Sequence, residues 1–335
     1  MRTLVFLALA AAPLAAQRAS VRAASPAPVP PALRPAFDSA ARLPRLRSLL
    51  VQKDGRIVAE RYWRGATAAR RANIKSASKS VISALVGIAI ARGDIPSVRQ
   101  PLVGLLPDEP AFRSDLRKQR ITVEDLLSMR AGLEPTSFGN YGAWVSSPNW
   151  VRDALRRPMV DDPGGRMLYS TGSTHLLSAA LTRATGTSTY AYALRHLARP
   201  LGIDLRPWTR DPQGIYFGGN DMYLTPREMA RFGQLYLDGG VANRRRVLPQ
   251  AWIDSSWAVR TYSPWNGHGY GYGWWTRTSR GRPVHFAWGY GGQFVFVVPS
   301  LRLVVVTTSE SEAPREGDHL GAVHGLLDRI VEAYD

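Results

Sequence analysis

Apolar residues alternate or run together near both ends of the chain and recur at helical spacing in between. Leu46 to Val51 and Arg56 to Tyr62 flank Lys53-Asp54-Gly55, the pattern of two strands joined by a tight hairpin. Val284 to Trp288, Phe294 to Val298 and Leu303 to Thr308 are three further β-rich runs. Glycine-rich and Pro-Ser turns part them, which predicts an antiparallel meander. From Gly321 to Ala333 the period changes, and Val323, Leu326, Leu327, Ile330 and Val331 fall on one side of a closing helix.

The middle of the chain reads as helical. Val81 to Ala91 is apolar nearly all round, so its helix is expected to be buried. Leu176 to Thr185, stopped by Gly186, and Met229 to Leu237 are further helical patterns. Thr122-Val123-Glu124-Asp125 and Thr225-Pro226-Arg227-Glu228 carry the spacing of capping boxes. These elements predict an α/β (α+β) fold: an antiparallel sheet built from both chain termini, packed with a large helical insertion over about residues 76–260. One compact unit and two lobes sharing a cleft are both compatible with that pattern.

Composition adds to this in three ways. The 335 residues, 45% hydrophobic with ten tryptophans, suffice for a large core. Residues 1–16 have a short basic end, an apolar stretch and small residues at Ala15-Ala16, so they read as a signal peptide and the protein as exported, periplasmic or extracellular after cleavage. Residues 17–36, rich in alanine, proline and arginine, read as a disordered tether, leaving 37–335 as the folded domain. There is no cysteine, which excludes disulfides, thiolate metal sites and a cysteine nucleophile. The net charge of +17 is carried by scattered arginines, and the one tight run, Arg244-Arg245-Arg246, falls in an expected turn. That distribution predicts no nucleic-acid partner, and no segment is long and apolar enough to predict stable membrane insertion.

Chemistry enters with Ser76-Ala77-Ser78-Lys79, at the mouth of the buried Val81 helix. A serine and a lysine three residues apart share one helix face. A serine hydroxyl needs a neighbouring base to become a nucleophile, and a buried lysine amine can serve. A solvated helix start would account for the bare pattern equally well, but a lysine on the first turn of a buried helix is costly without partners or a task. Tyr169-Ser170-Thr171 offers a second proton carrier on a loop after Pro163-Gly164-Gly165, and a nearby cation is expected to favour the Tyr169 phenolate. Trp288-Gly289-Tyr290-Gly291-Gly292, between two strands, offers backbone N–H groups where Gly291 and Gly292 permit close approach to a substrate; a plain hairpin turn is the alternative. The six histidines show no zinc spacing, and there is no Gly-x-Ser-x-Gly elbow.

In order and rough spacing, these three motifs resemble the serine β-lactamase-like superfamily, from about Leu46 to the C-terminus. Within it the resemblance is to the branch of class C β-lactamases, D-alanyl-D-alanine carboxypeptidases and related esterases. Tyr169 to Leu177 and Tyr223 to Gly233 look most like 6-aminohexanoate-dimer hydrolases. The resemblance implies a β-lactamase/transpeptidase-like fold, Ser76 as acylated nucleophile, Lys79 as its proton acceptor and Tyr169 as the acid and base for leaving group and water. It also implies an oxyanion hole from the Ser76 and Tyr290 N–H groups, with no metal or organic cofactor.

Two departures shape the expected substrate. Thr171 stands where the family has asparagine, and Trp288 and Tyr290 stand where β-lactamases have a Lys-Thr-Gly triplet that grips a carboxylate. The expectation is therefore a hydrolase of small esters or amides rather than an efficient β-lactamase. A peptidoglycan D,D-carboxypeptidase and an inactive protein binding cell-wall fragments are the alternatives. Thr171, Trp288, Gly291 and Gly292 are expected to contact the substrate. Tyr141, Trp144 and Trp150 are candidates for its pocket, with core aromatics the other reading.

Overall fold

The structure, a computed structural model, describes residues 28–313 and 317–335. The expected signal peptide and the expected tether up to residue 27 lie outside the described residues. Among the described residues the main sheet has eight strands. In chain order they are Leu46–Lys53 (β1), Arg56–Tyr62 (β2), Thr261–Tyr262 (β3), Gly269–Tyr270 (β4), Trp275–Ser279 (β5), Arg282–Gly289 (β6), Gln293–Val298 (β7) and Leu303–Ser309 (β8). Every neighbouring pair is antiparallel, and the order across the sheet is β2-β1-β8-β7-β6-β5-β4-β3. The N-terminal hairpin thus pairs with the last strand, so both chain ends build one sheet. Its turn takes positive φ at Asp54 (49°) and Gly55 (76°), the handedness that suits a two-residue hairpin.

The helices that matter here are Arg34–Arg42 (α1), Ser78–Arg92 (α2), Thr171–Thr185 (α3), Pro226–Leu237 (α4) and His319–Glu332 (α5). Side chains alternate across the sheet, and both faces are covered. Leu49, Val51, Phe294, Phe296, Leu303 and Val305 point into the core shared with α1 and α5. Leu50, Val295, Val297, Val304 and Val306 point into the core shared with α2 and α4. Burial on both faces is why Phe294 to Val298 is an unbroken apolar run rather than an alternating one.

The folded domain begins earlier in the chain than expected. A 3-10 turn at Pro31–Leu33 leads directly into α1, and Leu33, Ala36, Phe37 and Ala40 are buried under α5. Proline and alanine dominate the composition there, but one apolar stripe is enough to dock a helix. Strands β3 to β5 were not among the expected elements. Two of them have only two residues, too short for a periodic signal.

Both capping boxes form, with Asp125 and Glu228 reaching back to the Thr122 and Thr225 backbones. Helix α3 begins at Thr171, earlier than its apolar pattern indicates, so Tyr169 immediately precedes the cap residue Ser170. The 3-10 turn Lys75–Ala77 packs against β6 and β7 and runs into α2. These two helix starts and the end of β6 converge, and the candidate site lies between them.

Candidate active site

Ser76 sits in that 3-10 turn, half-buried, and the turn is held by its neighbours. Lys75 adopts a left-handed φ of 50°, a strained conformation for a residue with a side chain. The Asn73 side chain supports it, its Oδ1 accepting from the Lys75 N–H at 2.9 Å, while Ser78 Oγ donates to the Lys75 carbonyl at 2.7 Å. One turn on, Lys79 Nζ lies 3.0 Å from Ser76 Oγ, 3.2 Å from Thr171 Oγ1 and 2.8 Å from the Gly219 carbonyl oxygen.

Lys79 is 1% exposed, and burial brings its amine down from 10.5 to about 7. Three oxygens around one nitrogen define what a neutral amine can do there. It has two protons to donate, to Gly219 and Thr171, and one lone pair left to accept the Ser76 hydroxyl proton.

Tyr169 completes the group. It lines the same cavity as Ser76, and Lys79 Nζ lies 5.1 Å from its ring centroid. Tyr270 and Trp275 brace the ring, with centroids at 6.2 and 5.7 Å. One expectation is overturned here. The phenol is pushed up to about 12, because burial outweighs the opposing influence of the Ser76 hydroxyl. A phenolate would need a cation beside it, and burial leaves Lys79 only about half charged near pH 7. Tyr169 therefore keeps its proton in the resting site, and Lys79 is the more readily neutralised of the two.

Ser76, Tyr141, Tyr169, Thr171, Trp288, Tyr290 and Gly291 all line one cavity of about 590 Å³. Lys79 lies behind them. Thr171 is buried at the start of α3 and works through Ser137: their hydroxyls are 2.7 Å apart, and Ser137 Oγ accepts the Thr171 N–H at 2.7 Å. Ser137 thus anchors the hydroxyl that accepts from Lys79. The Tyr141 hydroxyl accepts from Asn220 Nδ2 at 2.9 Å. At the end of β6, Gly289 approaches the Ser76 turn so closely that an added Cβ would come within 2.0 Å of the Ile74 carbonyl. That contact sets Tyr290 beside the turn.

Three expected pocket residues lie elsewhere. Trp144 and Trp150 are core aromatics, their indole N–H groups donating to the Trp150 and Val145 carbonyls at 2.9 Å each, and both pack on Phe217. Gly292 turns away from the cavity: its carbonyl accepts from Thr307 Oγ1 and Ser309 Oγ, and a Cβ there would press on Ser309 and His319. Conversely, Asn73, Ser137, Gly219 and Asn220 carried no motif. Gly218-Gly219 was the available signal, since paired glycines mark close backbone approach.

A model of the family described as beta-lactamase matches residues 47–327. The chain belongs to that family. It is 27% identical over 318 residues to the 6-aminohexanoate-dimer hydrolase of Paenarthrobacter ureafaciens, an alignment covering 86% of this chain and 78% of that one. Among solved structures it superposes on a penicillin-binding protein homologue from Caulobacter crescentus with a TM-score of 0.74 at 15% identity, covering 92% of this chain and 100% of the other. A family VIII carboxylesterase matches with a TM-score of 0.71 at 16% identity, covering 92% and 99%. The expected fold is thereby established: a β-lactamase/transpeptidase-like α/β architecture in a hydrolase of this superfamily.

Proposed function

We propose that this protein hydrolyses small esters or amides through an acyl-enzyme on Ser76. The observation that carries the reading is the Lys79 amine, brought to about 7 and lying 3.0 Å from the Ser76 hydroxyl. In the forward step the Ser76 proton passes to Lys79 Nζ as Oγ bonds to the substrate carbonyl carbon. The Ser76 and Tyr290 backbone N–H groups stabilise the oxyanion. Tyr169 then gives its proton to the leaving oxygen or nitrogen as that bond breaks, and is reprotonated from Lys79. Water enters, loses a proton along the same path and releases the acid, restoring Ser76. The residues 1–16 support export to the periplasm or exterior, where such substrates would be met.

The test is a fluorophosphonate probe read by intact mass, beside turnover of p-nitrophenyl acetate. The wild-type protein should gain one adduct and Ser76→Ala none. Labelling or turnover that survives in Ser76→Ala overturns the assignment. Inertness of the wild type to every acyl probe, with stabilisation by cell-wall fragments, would leave a binding protein instead.

A further inference from the structure

We propose that Phe138 and Trp265 form an aromatic subsite that receives a planar, phenyl-type ring of the substrate; the inference rests on the hydrolase reading of Ser76. Both residues line the same cavity as Ser76. Phe138 comes from the segment after Ser137, and Trp265 from the loop between β3 and β4 at the sheet edge. They meet at 5.3 Å between centroids and 60° between planes, an edge-to-face pair spanning two walls of the mouth.

Despite that contact they stay 56% and 59% exposed. Large apolar side chains held at a cleft mouth and left open to solvent mark a surface awaiting an apolar partner. The rest of the cavity fits the same partner. Tyr141, Trp275, Trp288 and Tyr290 contribute further rings. The two cations on its wall are engaged by protein groups: Arg45 donates to the Glu310 carbonyl at 3.2 and 3.0 Å, and Lys75 pairs with Glu312 at 3.0 Å. A substrate ring placed against the pair can make a second offset or edge-to-face contact. Each such contact contributes about three- to tenfold in affinity beyond simple area burial.

The experiment separates binding from turnover. In Ser76→Ala protein, ligand-observed NMR titration compares benzyl acetate with cyclohexylmethyl acetate, similar in size but not planar. Benzyl acetate should bind more tightly, and Phe138→Leu or Trp265→Leu in that background should shrink the preference by about three- to tenfold. An unchanged preference in both variants, with their melting temperatures intact, overturns the subsite. In otherwise native protein, benzyl acetate and methyl phenylacetate carry the ring on the leaving and acyl sides respectively, so the ester whose kcat/KM falls in the variants locates the ring. If the native protein is inert to the fluorophosphonate and to every ester and amide tried while the binding preference still depends on Phe138 and Trp265, the subsite stands and the hydrolase reading fails. If cleavage proceeds and the preference ignores both residues, only the subsite fails.

Discussion

The Gly219 carbonyl oxygen and Lys79 Nζ are 2.8 Å apart, and glycine is what lets them meet. An added Cβ at Gly219 would stand 2.4 Å from Thr174 Oγ1, 2.8 Å from Thr171 Cγ2 and 3.1 Å from Lys79 Nζ itself. Gly219→Ala must therefore displace the segment, the start of α3, or the amine. Misplacing a base by a fraction of an ångström costs on the order of tenfold to a hundredfold in rate. The expected outcome is such a loss in kcat/KM, with a far-UV spectrum like that of the wild type. Full activity in the variant would mean that the Gly219 carbonyl does not hold the lysine.

The proposed acylation requires Lys79 neutral. With its folded value at about 7, kcat/KM should rise through pH 7, falling on the order of tenfold per unit on the acid side. Stability carries the same signature. The unfolded amine titrates near 10.5, so between about pH 7 and 10.5 the unfolded state binds more protons than the native state. This group's contribution to stability accordingly rises with pH across that window and is lost as pH falls toward 7. Melting curves from pH 7 to 10 should show the upward slope reduced in Lys79→Met. Identical slopes in the two proteins would contradict a desolvated amine held near 7.

Ser137 is tied to Thr171 twice, through its hydroxyl and through the Thr171 N–H. Ser137→Ala leaves a buried helix-start N–H and a buried hydroxyl short of a partner, at a cost of about 1–3 kcal/mol. Because Thr171 Oγ1 accepts from Lys79, kcat should fall more than KM changes. Chemical denaturation and steady-state kinetics on one preparation measure both effects. A KM effect alone would make Ser137 a substrate contact rather than a support for the lysine.

Legibility in the sequence followed the range of the forces involved. Ser76 and Lys79 are readable because three residues along a helix start amount to one turn, a local geometry. Their meeting with Thr171 and Gly219 depends on packing between α2, α3 and a loop, which leaves no periodic trace. Trp150 and Trp265 show the same limit from opposite sides. A tryptophan's pattern does not tell a core position from a cavity wall; here Trp150 caps its indole on Val145, while Trp265 stands at the mouth. The direction of the Tyr169 shift was equally hidden, since it depends on burial of both the phenol and its neighbouring amine. The sheet was legible at its apolar strands, β1, β2 and β6 to β8, and silent at β3 and β4, where pairing is carried by two residues each.

Phe37 tests the docking of the N-terminal helix. It is 4% exposed within the core shared by α1, α5 and the β1–β8 side of the sheet. Phe37→Ala removes a buried ring and should cost about 3–5 kcal/mol in unfolding free energy. Phe37 does not line the cavity, so kcat/KM under conditions where the variant stays folded should remain near that of the wild type. Deletion through residue 42 removes Leu33, Ala36, Phe37 and Ala40 together and exposes the apolar face of α5. That deletion should lower solubility and broaden the unfolding transition. A Phe37→Ala protein as stable as the wild type would return α1 to the status of a tether.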